Sequence, residues 1–317
     1  MHKEKIAVII PCYRVGNKIL DLLGKLEDSN YFVYIIDDYC PENPSEFVLN
    51  SKFSSAFTVY RNEMNLGVGG AVKKGFELAL RDGCDVFVKL DGDGQMNPDL
   101  IPLLIRPLLQ KEADYVKGNR FHNLNTLKRM PFLRLLGNSS LSLINKAVSG
   151  YWDIMDPTNG FIAINREALT RLPLEKIENR FFFESDMLFR LSSVRAVVSD
   201  FPMDAVYEDE KSNLRIRKVL IEFPFKYFTR FFKRLFYSYL LRDFNLGTVH
   251  LMVGLLLTIF GVIFGAFQWY VNDVRNLPTP TGTVMLSVVP IILGFQLLLS
   301  FLNFDVTSVP RKPLSKQ

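Results

Sequence analysis

Two apolar runs set the terms for this chain. Leu246–Tyr270 and Val284–Phe304 are almost wholly apolar, and each meets the ~20-residue length that carries an α-helix across the hydrocarbon core of a bilayer. In lipid every backbone N–H and C=O must be satisfied within the segment, so both runs are expected as spanning helices. Gly254, Gly261 and Gly265 in the first permit close packing against another helix. Pro290 in the second is tolerated in such a setting. A pair of core helices buried in a soluble domain is the alternative, and the length argues against it.

The flanking charges orient the pair. Arg215, Arg217, Lys218, Lys226, Arg230, Lys233, Arg234 and Arg242 precede the first run, and Arg311, Lys312 and Lys316 follow the second. The intervening loop carries only Arg275. By the positive-inside rule both ends lie in the cytoplasm and the loop outside. The expected plan is a catalytic domain over residues 1–210, a basic juxtamembrane segment over 211–245 and a first span over 246–270. An extracytoplasmic loop over 271–283, a second span over 284–304 and a cytoplasmic tail over 305–317 complete it. In Phe225–Arg242, Phe228, Phe231, Phe232, Leu235 and Tyr239 recur at three- and four-residue spacing, with Lys226, Arg230, Lys233 and Arg234 largely opposite. Such a helix suits the headgroup region of an anionic membrane; a domain-packing helix with a solvated face gives the same pattern.

The net charge of +5 and pI near 9.0 come mainly from that basic stretch, so they point to a membrane surface rather than to nucleic acid. Cys12, Cys40 and Cys84 show no paired spacing, which excludes a disulfide framework or zinc site, and His2, His122 and His250 form no ligand cluster. The short run Ile6–Ile10 ends at Pro11 and is no signal peptide. An integral protein of the cell's inner membrane is expected, its large domain cytoplasmic.

The first half alternates short β-rich runs with helical stretches. Lys5–Ile10, Phe32–Ile36, Phe57–Tyr60, Asp85–Leu90 and Asp114–Lys117 are expected strands, with Phe161–Asn165 and Ala196–Ser199 later. Asn17–Glu27, Leu66–Arg81 and Pro98–Lys111 are expected helices. This order predicts an α/β domain with a mostly parallel, Rossmann-like sheet, whose ligands sit at the carboxyl ends of the strands.

The acidic motifs fall at those ends. Asp37–Asp38 follows the second strand and Asp91-Gly92-Asp93-Gly94-Gln95 the fourth. Two carboxylates one residue apart repel unless a cation sits between them. A divalent ion bound to phosphate oxygens supplies that charge, and Mg2+ uses one or two carboxylates plus substrate phosphates. Asn65-Leu66-Gly67-Val68-Gly69-Gly70-Ala71 opens a helix, where glycines and free amides suit either an anion or a tight turn.

Taken in order, Ile9–Tyr13, Ile36–Asp38, Asn65–Ala71, Asp91–Gln95, Asp156–Phe161 and Phe183–Asp186 resemble the inverting family 2 glycosyltransferases of the GT-A fold. With the basic stretch and paired runs, the likeness is to polyprenyl-phosphate glycosyltransferases, the group that contains dolichyl-phosphate mannose synthases. The resemblance implies transfer of one sugar from a UDP- or GDP-sugar to a polyprenyl phosphate, in building the cell envelope. It places the donor at Pro11, Cys12, Tyr13, Asp37, Asp38, Asn65 and Gly67. It puts Mg2+ or Mn2+ at Asp91 and Asp93, with Gln95 beside them. Arg120 and Arg134, with Lys211 and Arg215 on a mobile loop, would meet the acceptor phosphate. Where relatives carry Asn-Glu after the tyrosine, this chain has Arg14-Val15.

A phosphate monoester is largely dianionic at neutral pH and attacks without a base, but needs cations to hold it. A hydroxyl acceptor needs a general base, for which Glu184 and Asp186 are the candidates; acidic residues there also suit a helix start. The alternatives are a membrane transferase acting on a saccharide or lipid hydroxyl, and a non-catalytic nucleotide- or lipid-binding scaffold. The expected partners are the donor, the acceptor and the bilayer, with no nucleic acid and a homo-oligomer left open.

Overall fold

The computed structural model describes residues 4–122, 132–203 and 216–317, with the side chains of 132–134 and 216–221 excepted. Lys211 and Arg215 therefore lie outside the described residues, and of Arg134 only the backbone is described.

Seven strands form one sheet: β1 (Ile6–Cys12), β2 (Phe32–Asp37), β3 (Thr58–Arg61), β4 (Val86–Lys89), β5 (Tyr115–Asn119), β6 (Ile162–Asn165) and β7 (Val198–Pro202). Their order is β3-β2-β1-β4-β6-β5-β7. Only β6 runs antiparallel to its neighbours, β4 and β5. The inner strands are apolar on both faces because helices cover both. These include α1 (Lys18–Leu26), α2 (Pro44–Leu49), α3 (Val68–Arg81) and α4 (Ile101–Leu109). The expected strands and helices are present with ends moved by at most three residues, while α2 and α6 (Arg166–Arg171), six residues each, were not expected.

The chain turns back at β1, with β2 on one side and β4 on the other. That is the switch point at which open α/β sheets bind ligands. The carboxyl ends of β1, β2, β4 and β5 and the start of antiparallel β6 share one edge of the sheet.

Two further helices, α5 (Phe132–Ser149) and α7 (Phe183–Ser193), pack together with α8 (Ile216–Leu235). The Phe182 ring meets Phe223 at 5.1 Å and Tyr227 at 4.9 Å. The buried Tyr227 hydroxyl lies 2.8 Å from Asn145 Nδ2 and 3.0 Å from Ser185 Oγ. The chain divides into two compact units, one of residues 1–231 with 310–317, the other of residues 232–309. Residues 310–317, within the stretch 305–317 expected as a cytoplasmic tail, belong to the first unit: Leu314 is buried, and its N–H donates to both oxygens of Asp114 at 3.1 and 3.0 Å.

In the second unit, α8 passes into a π-helical turn, Phe236–Arg242, followed by α9 (Leu246–Val274) and α10 (Thr281–Thr307). Both long helices are apolar enough to span a membrane, with mean hydropathy 2.3. They meet at small residues. An added Cβ on Gly261 would lie 2.7 Å from the Ser287 carbonyl oxygen, and one on Gly294 2.3 Å from Thr258 Oγ1. Close backbone approach is the means by which helices associate in lipid. The basic face of α8, expected toward headgroups or, in the domain-packing alternative, toward solvent, includes one arginine buried within the fold. Arg234 is buried and donates to both oxygens of Asp305 at 2.7 and 2.9 Å, and buried Tyr239 donates to the same carboxylate at 2.5 Å. Phe225, Phe228, Phe232 and Phe236 instead form the exposed aromatic stripe.

Candidate active site

The site is built where β4 ends. Lys89, the last residue of β4, is 1% exposed, and its ammonium lies 2.7 Å from Asp91 Oδ1 and 3.4 Å from Glu184 Oε1. It also donates to the Gly160 carbonyl at 3.1 Å. Burial alone would lower the Lys89 pKa, but attraction to Asp91 and Glu184 outweighs it and the net shift is upward. Lys89 therefore carries its charge, and joins the Asp91 turn, the start of α7 and the Asp156–Phe161 loop.

Register explains a second buried lysine. Lys89 and Lys117 both pair with Ile162, so the two side chains leave the same face of the sheet on either side of β6. Lys117 is fully buried and donates to the Asn159 carbonyl. Burial pulls its pKa down to about 8, partly opposed by Glu184 and Asp156. Two ammoniums thus hold successive carbonyls of one loop. Glycine is required in that loop: an added Cβ on Gly160 would lie 2.5 Å from both Asp91 Oδ2 and Lys89 Nζ.

Asp93 Oδ1 accepts from the Gln95 N–H at 3.0 Å, which folds the Asp91–Gln95 turn back on itself. Hard carboxylate oxygens suit Mg2+ or Mn2+. Among the described residues no group of three or more His, Cys, Asp or Glu gathers to hold an ion alone. The donor set fits an ion that takes its remaining ligands from a diphosphate and water.

Several residues expected at the donor also shape the local fold. Asp38 Oδ1 accepts from Asn62 Nδ2 at 2.8 Å and Leu66 N at 2.9 Å, and Oδ2 accepts from Gly67 N at 2.7 Å. Asn65 Nδ2 donates to the Asp38 carbonyl at 3.1 Å. Asp38 is therefore the cap of the Asn65–Gly67 turn. Asp37 is buried and accepts from Cys40 N at 2.8 Å and Ser45 Oγ at 2.7 Å. Pro11 and Cys12 end β1, and burial, aided by Asp37, Cys40 and Asp91, raises the Cys12 thiol far above its ordinary range. Tyr13 is exposed beside the guanidinium of Arg14.

The glycine-rich motif is a place of close packing. Gly67 has φ +92°, and a Cβ there would meet the Asn179 carbonyl oxygen at 2.7 Å. At Gly69 a Cβ would meet the Glu178 carbonyl oxygen at 2.4 Å and Phe183 Cβ at 2.8 Å. The start of α3 thus lets the segment leading to Glu184 approach.

Arg120 grips Asp156 through Nε–Oδ2 at 2.7 Å and Nη2–Oδ1 at 3.0 Å. The two base candidates part company. Glu184 joins Lys89, whereas Asp186 is fully buried and accepts from Glu178 N at 3.0 Å, Arg190 Nε at 3.0 Å and Arg230 Nε at 2.8 Å. Lys226 and Arg230 also contact Glu178 at 2.8 and 3.1 Å, so their charges are paired within the fold. Lys89 and Lys117 escaped the sequence reading as working residues, and Asp156 and Gly160 entered it only within a motif and without a role; for the lysines, a charged residue inside an otherwise apolar strand was the available signal.

Residues 7–172 match the family model described as Glycosyl transferase family 2. The UDP-N-acetylglucosamine–dolichyl-phosphate N-acetylglucosaminyltransferase of Methanococcus voltae is 29% identical over 241 residues, 72% of this chain and 95% of that protein. The undecaprenyl-phosphate mannosyltransferase of Micrococcus luteus is 27% identical over 207 residues, 64% of this chain and 84% of the relative. Among solved structures, Mycobacterium tuberculosis glucosyl-3-phosphoglycerate synthase, in complex with Mn2+, UDP and glucosyl-3-phosphoglycerate, is similar with a TM-score of 0.53. It is 16% identical, over 73% of this chain and 80% of the other, which is a likeness of fold.

Proposed function

Because the chain belongs to glycosyl transferase family 2, we propose that it moves one sugar, with inversion, from a UDP- or GDP-sugar to a polyprenyl phosphate at the cytoplasmic membrane face. It is a hexosyltransferase by class, built on a GT-A fold with two long apolar helices attached. The acceptor is argued from the carboxylates. Asp186 is spent on Arg190 and Arg230, and Glu184 faces an ammonium. Neither is placed as a ready base, which a phosphate nucleophile does not need. The relatives named for dolichyl and undecaprenyl phosphate support the same acceptor.

Asp91 and Asp93 would hold Mg2+ or Mn2+, which neutralises charge as the nucleoside diphosphate leaves. Pro11, Cys12, Tyr13, Asp37, Asp38, Asn65 and Gly67 would border the donor. Arg120, kept in orientation by Asp156, offers a fixed guanidinium toward a phosphate, with Arg134, Lys211 and Arg215 as its partners. Residues 1–210 carry the chemistry, 211–245 approach the membrane, and both chain ends lie in the cytoplasm.

The test is nucleoside diphosphate release by purified protein with Mg2+ or Mn2+, a donor panel, and polyprenyl phosphate against the matching polyprenol. Release with the phosphate alone is expected; equal rates with the alcohol would refute the reading. A cysteine introduced at Asn276 should react with an impermeant reagent from outside the cell, since the native cysteines are buried.

A further inference from the structure

Lys89 is more than a neutralised core charge. Its three partners, Asp91, Glu184 and the Gly160 carbonyl, come from three separate segments and converge on one buried nitrogen. A buried ammonium is costly unless well paired, and at this position in β4 an apolar residue would satisfy the sheet. The lysine is therefore explained by what it holds. It takes Asp91 through Oδ1, and the missing side chain at Gly160 keeps Oδ2 uncovered on that side. Without the ammonium, Asp91 and Glu184 would lie on either side of an empty position and repel.

We propose that Lys89 is a positioning residue of the transfer reaction: its ammonium turns Asp91 so that Oδ2 is presented to the donor's divalent ion, and keeps Glu184 from competing for that ion. The inference rests on the reading of Asp91 and Asp93 as the donor-metal carboxylates. Partners that orient metal ligands typically contribute about 10- to 100-fold in metal affinity or activity, so a shift of that order is expected on losing Lys89.

The experiment is calorimetric titration of Mn2+ into the full-length protein with saturating UDP or GDP, beside thermal melts and turnover. In Lys89→Met, which keeps length and loses charge, half-saturating Mn2+ should rise at least about tenfold. Turnover should fall by roughly 10²-fold, while KM for the polyprenyl phosphate stays within about threefold of wild type. Lys89→Arg, which restores the charge, should recover part of the metal shift. Where Lys89→Met does not fold, Lys89→Met/Glu184→Gln removes a positive and a negative group together, and the same Mn2+ shift relative to Glu184→Gln is expected. Wild-type Mn2+ half-saturation in these variants, with or without lowered stability, overturns the proposal and leaves the transferase reading standing. Absence of metal-dependent nucleotide binding in the wild type overturns both.

Discussion

Replacing Gly160 by alanine adds one carbon between two of the most constrained groups in the molecule. The new Cβ would lie 2.5 Å from Asp91 Oδ2, 2.5 Å from Lys89 Nζ and 3.2 Å from Met96 Cε, against an ordinary contact of 3.4 Å or more. The first two atoms are bound through the same ion pair, Lys89 Nζ to Asp91 Oδ1 at 2.7 Å, so both must retreat by roughly 0.9 Å or the loop must lift. Overpacking of this kind costs about 1–3 kcal/mol. For a unit of this size that lowers Tm by a few degrees, at about 2–4 °C per kcal/mol. The chemical effect is larger, because misplacing a reacting group by about 1 Å costs about 10²-fold. Nucleoside diphosphate release at saturating substrates should therefore fall roughly 10²-fold while most of the protein stays folded. Gly137→Ala is the control: in α5, with nothing within 4 Å of its added Cβ, it should leave activity alone and gain about 0.5–1 kcal/mol of helix stability. Gly160→Ala retaining more than about a third of wild-type turnover with an unchanged Tm would refute the contact argument.

Three other substitutions probe different parts. Asp186→Asn removes the charge from a fully buried carboxylate serving Arg190 and Arg230, so stability should fall by about 3–5 kcal/mol; a thousandfold loss of turnover with an unchanged melt would instead restore it as a base. Burial pushes the Asp200 carboxyl up to about 6 from 3.8, so the folded chain holds this proton more tightly and stability drains away as pH rises between those values. Asp200→Asn can still accept from Asn119 Nδ2 and Met155 N, and should melt higher than wild type at pH 7.5, with the gap closing near pH 4. Gly261→Ile places a side chain against the Ser287 carbonyl and Ile291, so the α9–α10 pair should lose resistance to heating in detergent; an unchanged melt would count against close packing there.

What was legible in the sequence was whatever depends on neighbours in the chain. Apolar β-rich runs marked the strands, length marked the two spans, and Asp91–Gln95 stood at the end of its strand as expected. Six-residue helices such as α2 and α6 are too short to show a period. Charge partners across the chain were not legible. Lys226, Arg230 and Arg234 read as a basic face toward headgroups or solvent, yet find Glu178, Asp186 and Asp305, the last of them 71 residues from Arg234. The same blindness hid Lys89 and Lys117, because pairing with Glu184 and with the Asn159 carbonyl needs the sheet register to be known. Asp37 and Asp38, read from the chain alone as donor contacts, also hold turn amides and the Ser45 hydroxyl, partners that the sequence does not show.

The contact of Leu314 with Asp114 has a consequence in time. Asp114 stands before β5 and gathers donors from Val197 N, Asn165 Nδ2 and Leu314 N. The first two leave the ribosome before either apolar helix; the third leaves after both. The nascent first unit can assemble its sheet while α9 and α10 are still unmade, with one donor to a buried carboxylate missing. Its third donor is synthesised only after both helices. Completion of the first unit thus waits on synthesis of both helices, and a chain interrupted before Leu314 would carry the whole sheet with one donor to Asp114 missing.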